Sequence, residues 1–90
     1  LICVSNILWN VYYFLENTNE KVAHIECLSL KGYFNAINSY EEHSKLLDKA
    51  SKLIVEVLGQ EYGKHSRLAV GCASLPKNSP VEIEAIFSIL

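Results

Sequence analysis

Two charged residues in the last third of the chain could share a chemistry. Arg67 sits in the small, apolar run Arg67-Leu68-Ala69-Val70-Gly71-Cys72, and Glu82 lies near the start of the run VEIEAIFSIL. A guanidinium presents a planar fork of N–H donors that fits a carboxylate in bidentate fashion. A carboxylate side chain nearby can activate water and carry a proton. Together they read as a carboxylate-binding guanidinium and a carboxylic acid/base. The competing reading is two solvated charges at strand edges, and pattern alone leaves both open.

Other chemistries find less support. His24, His43 and His65 stand about twenty residues apart on what read as different elements, and suggest surface or loop histidines rather than a metal site. Cys3, Cys27 and Cys72 form no C-x-x-C pair, so neither a disulfide framework nor a thiolate metal site is expected, and a reducing compartment, cytoplasmic or mitochondrial, follows. The four glycines make no phosphate-cradling loop. Ser66 beside His65 lacks the surroundings of a nucleophile elbow. The net charge of −2 gives a nucleic-acid partner no electrostatic support.

The elements that must position Arg67 and Glu82 can be read from periodicity. Residues 81–90 alternate, with Val81, Ile83, Ala85, Phe87 and Ile89 on one face and Glu82, Glu84, Ile86 and Ser88 on the other, which predicts a strand. Residues 67–75 predict another, and Pro76-Lys77-Asn78-Ser79-Pro80 a turn between them. Upstream, Leu46, Leu47, Ala50, Leu53, Ile54, Val57 and Leu58 recur at helical spacing, with a capping box at Ser39–Glu42 and a stop at Gly59. Residues 21–31 predict a strand whose apolar phase shifts at Leu28, by a bulge or by burial of both faces, and Gly32 predicts a bend. Phe34 after it could wall a pocket or fill a core. Residues 1–16 predict a largely buried helix, at about 15 residues too short to span a bilayer, and residues 17–20 a polar loop. The order predicts a single α+β domain, helices on one face of a mixed sheet.

The segment S-R-x-A-V-x-x-A-x-L-P followed by V-E-I-E-A-I-F, at residues 66–76 and 81–87, resembles the C-terminal signature of the RidA/YjgF family, the reactive-intermediate deaminases once labelled L-PSP endoribonucleases. The pattern H-x-R-x-A-V-G-x-x-x-L-P, from His65 to Pro76, is similar to a less characterised branch of it. The resemblance implies a chorismate-mutase-like fold, of which residues 1–90 would form the C-terminal part, with N-terminal strands missing from this chain. It implies a homotrimer with sites between subunits, a small imine or carboxylate ligand, no cofactor and no metal. Arg67 would bind the substrate carboxylate and Glu82 would be the catalytic acid/base. The cysteine frequent two residues after that arginine is Ala69 here, still expected to line the pocket, and Asp48 stands where relatives carry asparagine.

The activity so implied is cofactor-independent hydrolysis of enamine or imine intermediates to 2-keto acids and ammonia, like that of 2-iminobutanoate/2-iminopropanoate deaminases. A trimeric small-carboxylate-binding or regulatory protein without catalysis is the alternative, and an endoribonuclease a third. A geometric condition attaches to all of them. A hairpin centred near Asn78 would pair Arg67 with about Ile89 and set Arg67 and Glu82 on the order of 25 Å apart. They could then share a substrate only if Glu82 came from a neighbouring subunit.

Overall fold

In the computed structural model, residues 2–17, 24–36 and 39–89 are described. The elements run α1 (Ile2–Glu16), β1 (Ile25–Asn35), α2 (His43–Gly63), β2 (Ser66–Cys72), a 3-10 turn (Pro76–Asn78) and β3 (Val81–Ile89). The expected loop at 17–20 and the start of the expected strand at 21–31 fall mostly outside the described residues.

The three strands order as β2-β1-β3. β1 pairs with β2 in parallel, Leu30 opposite Arg67 and Phe34 opposite Gly71. It pairs with β3 antiparallel, Leu30 opposite Ala85 and Tyr33 opposite Glu82. The expected β2–β3 hairpin is therefore corrected: β1 lies between them. Eight residues link β2 to β3, too many for a tight hairpin turn. They cross the end of β1 instead, where Asn35 holds them. Its backbone N–H donates to the Pro80 carbonyl at 3.0 Å, and its side-chain amide donates to Asn78 Oδ1 at 3.2 Å and the Ser79 carbonyl at 3.3 Å. Lys77 and Asn78 take left-handed φ of 55° and 53° to make the corner.

The shift of apolar phase along β1 is a bulge. The register slips between Cys27 and Ser29, which leaves Leu28 exposed and returns Leu30 to the same face as Cys27. Gly32 does not bend the strand. It lies within β1 under α2, where an added Cβ would come within 2.9 Å of Leu47 Cδ1 and of Phe34 Cε2. The missing side chain lets the helix settle close to the sheet.

Both helices lie on the face formed by Leu30, Gly32, Phe34, Ala85 and Phe87. α2 buries the stripe Leu47, Ala50 and Ile54 against β1, and with Val4, Cys27, Leu30 and Phe34 these make the core. No side-chain cap closes its N-terminus, where Glu42 precedes the first helical residue, so the expected capping box is absent. At Gly59 the backbone turns to φ 86°, ψ 169° and the helix then resumes to Gly63. Gly59 thus interrupts the helix, as a left-handed glycine does, without ending the helical segment. α1 was expected to be largely buried, yet Val4 is its sole fully buried residue. Ala85, Phe87 and Ile89 of β3 line an apolar cleft beside it, and Trp9, Tyr12, Tyr13 and Phe14 remain exposed.

Candidate functional site

Three residues of α2, Ser44, Asp48 and Ser51, recur at i, i+4 and i+7, which places them on one side of the helix. That side overlooks β2. Arg67, in register with Leu30 on the helix-covered face of the sheet, reaches up to all three. Its Nη1 donates to Ser51 Oγ at 3.0 Å. Its Nη2 donates to Ser44 Oγ at 3.1 Å and to the Ser44 carbonyl, and forms an ion pair with Asp48 Oδ1 at 2.8 Å. The arginine side chain is 26% exposed and the aspartate 64%. The guanidinium is therefore held in place and still open to solvent.

His65 joins the same network. Nδ1 lies 2.6 Å from the Gly63 carbonyl, and Nε2 lies 3.0 Å from Ser51 Oγ. With Nδ1 protonated and donating to the carbonyl, Nε2 is left to accept from the serine hydroxyl, which in turn accepts from Arg67. Ser51 is thus the bridge between strand and helix. His65 is a loop histidine, as one of the two expected readings has it, but half-buried and bonded rather than free at the surface. The i, i+4, i+7 spacing of Ser44, Asp48 and Ser51 was the available signal, but nothing in the sequence tied it to Arg67 without the β1–α2–β2 topology.

Glu82 lies elsewhere. It is in register with Tyr33 on the sheet face away from the helices, exposed. Arg67 and Glu82 sit three residues apart along β1 and two strand spacings apart across it, roughly 14 Å between backbones, with side chains on opposite faces. This replaces the separation expected from a hairpin, and it keeps the conclusion: the two cannot meet over one small molecule within one chain. The face around Glu82, which no described helix covers, carries Tyr33, Leu68, Val70 and Ile86, of which Leu68 and Ile86 are each 50% exposed. Lys31 and Glu84, directly opposite in the register, pair across it at 3.7 Å.

The remaining candidates divide. Ala69, opposite Gly32, lies on the Arg67 face and packs against the core. Phe34 is buried and walls an apolar cleft of about 270 Å³ with Cys3, Leu46 and Val81, away from the Arg67 network. Among the described residues no group of three or more His, Cys, Asp or Glu converges on a possible metal position, and no helix is long and apolar enough to cross a membrane.

No family model matches the chain. It is similar to Protein TCP17 of Trypanosoma cruzi, 39% identical over 62 residues that make up 69% of this chain and 39% of that protein. Among solved structures, Atu1372 of Agrobacterium tumefaciens, a protein of unknown function, matches with a TM-score of 0.83 at 39% identity over 97% of this chain and 54% of that one. A candidate endoribonuclease of Shewanella oneidensis MR-1 matches with a TM-score of 0.69 at 33% identity, over 90% and 53% of the two chains. The chain spans about half the length of these solved neighbours and about two fifths of the Trypanosoma protein. The fold is of the RidA type: a mixed three-stranded sheet with two helices packed on one face.

Proposed function

We propose that this chain supplies both halves of a site that is completed between subunits of a homotrimer, and that the assembled protein hydrolyses 2-imino acids or their enamines to 2-keto acids and ammonia without a cofactor. The observation that carries the proposal is the opposed placement of Arg67 and Glu82. Arg67 is braced by α2 beside β2, a sheet edge. Glu82 stands on a partly apolar sheet face that no described residue covers. A neighbour packed on that face would bring the Glu82 of one chain toward the Arg67 of another.

In that arrangement Arg67 clamps the substrate carboxylate and fixes its orientation. Glu82 positions a water against the C=N carbon, accepts its proton and returns a proton to the departing nitrogen. The test is ammonia and keto-acid release from a freshly generated 2-imino acid. The intact protein should release both, and Arg67→Ala and Glu82→Ala should each lose the activity. Release no faster than in buffer would reject the proposal.

A second reading is favoured by the self-paired state of Arg67. A braced guanidinium suits a small-carboxylate-binding or regulatory protein, with Glu82 serving structure. Such a protein keeps its affinity in Glu82→Ala, whereas a deaminase loses turnover. The likeness to the candidate endoribonuclease of Shewanella raises ribonuclease activity, against which the net charge of −2 and the lack of a basic run weigh. RNA cleavage that persists through stringent purification would support it.

A further inference from the structure

Arg67 does not present an empty fork. Of its five N–H donors, those on Nη2 face Asp48 and Ser44, and one on Nη1 faces Ser51. Both edges of a guanidinium that can grip a carboxylate with two parallel bonds include Nη2. A ligand carboxylate therefore enters bidentate only when a partner on α2 lets go. Ser44 and Ser51 are neutral, and the Ser44 carbonyl is fixed in the helix backbone. Asp48 is the one anionic partner of the three and is exposed, so it is the one an incoming carboxylate displaces. Tethered to α2, it then remains within a few ångströms of the incoming carboxylate. Two facing anions repel unless the ligand brings its own positive charge.

Resting on the reading of Arg67 as a carboxylate clamp, we propose that Asp48 is a specificity-determining residue that makes this site select zwitterions, an α-iminium or α-ammonium carboxylate, over plain 2-keto carboxylates. The ligand carboxylate takes Arg67 and the adjacent cationic nitrogen takes Asp48. The consequence for turnover follows from charge. Water adds through oxygen to the C=N carbon of an α-iminium carboxylate, and the C–N bond breaks. Nitrogen leaves with its bonding pair as ammonium, and the carbon keeps the oxygen as a ketone. The substrate is neutral overall, while the organic product is an anion. Asp48 holds the first and repels the second.

Calorimetric titration of the full chain with 2-aminobutanoate and 2-oxobutanoate, ligands of one carbon skeleton, tests this. The intact protein should bind the amino acid on the order of tenfold more tightly, the scale of one screened charge contact. Asp48→Asn, isosteric and at the surface, should tighten 2-oxobutanoate by about the same factor and erase the preference. An unchanged ratio of affinities in Asp48→Asn, or equal binding of the two ligands by the intact protein, overturns the inference. Binding of both ligands that survives in Arg67→Ala overturns the clamp and the inference with it. The predicted preference in a protein that releases no ammonia from a 2-imino acid supports the role of Asp48 and rejects the deaminase.

Discussion

Replacing Gly32 with Ala tests how the fold holds the candidate site. The new methyl would lie 2.9 Å from both Leu47 Cδ1 and Phe34 Cε2, where ordinary contact begins at 3.4 Å. Neither neighbour can swing into solvent, since Leu47 is 1% exposed and Phe34 7%. The strain must go into rotamers or into lifting α2 from the sheet, a kind of overpacking that costs about 1–3 kcal/mol. Removing a glycine from a strand interior returns about 0.5–1 kcal/mol. The net loss centres on about 1 kcal/mol, which for a domain this small lowers the melting temperature by roughly 4–8 °C. The assay is thermal denaturation followed by circular dichroism. Gly59→Ala is the contrasting case. Nothing lies within 4 Å of its added Cβ, but its φ is +86°, so its cost comes from backbone strain and adding Leu47→Val should not relieve it. In Gly32→Ala, Leu47→Val should recover part of the loss. A Gly32→Ala protein that melts at or above the parent temperature would refute the close approach of α2 to β1.

Further outcomes follow from the same packing. Ile54→Ala should cost about 2–5 kcal/mol in urea denaturation, and the exposed Val57→Ala less than about 0.5 kcal/mol. Asn35→Ala should destabilise by about 1 kcal/mol through the lost bonds to Asn78 and Ser79, with faster proteolysis at the crossover loop. Burial raises the Cys27 thiol above its ordinary range, so a disulfide reagent at mildly alkaline pH should label Cys3 and Cys72 well before Cys27. The sign for stability is set by the same shift. Below the ordinary thiol range both folded and unfolded chains keep the proton. Above it the unfolded chain loses its proton first, so this thiol makes stability fall as pH rises. Cys27→Ala should flatten that alkaline decline in a series of melts.

Local pattern carried much of this fold. The alternation of residues 81–89 and the Leu47, Ala50, Ile54 stripe record burial directly, because each apolar side chain must face the one available core. The Leu28 phase shift marked the bulge for the same reason. Strand order was not legible. The turn-rich residues 76–80 read as a hairpin, but the pairing of β1 with both strands and the Asn35 bonds to Pro80, Asn78 and Ser79 show the chain crossing β1 instead. Helix ends were misread where glycine and capping chemistry compete with tertiary packing, as at Gly59 and Glu42. At the candidate site, Arg67 and Glu82 could be singled out by residue type, and Asp48 only through the family resemblance. The partnership of Arg67 with Ser44, Asp48 and Ser51 required knowing that β2 lies parallel to β1 beneath α2. The opposite facing of Glu82 required the register of β3.

The proposed intersubunit site makes one demand that a site within a single chain does not. Arg67→Ala and Glu82→Ala proteins, each inactive alone, should complement when unfolded together and reassembled, because some interfaces then join an intact Arg67 of one chain to an intact Glu82 of another. Random mixing in equal amounts makes roughly a quarter of the sites complete in a cyclic homo-oligomer. Ammonia release from a 2-imino acid should therefore return to about a quarter of the parent rate. A mixture as inactive as either variant, alongside an active parent protein treated the same way, would contradict a site built between subunits.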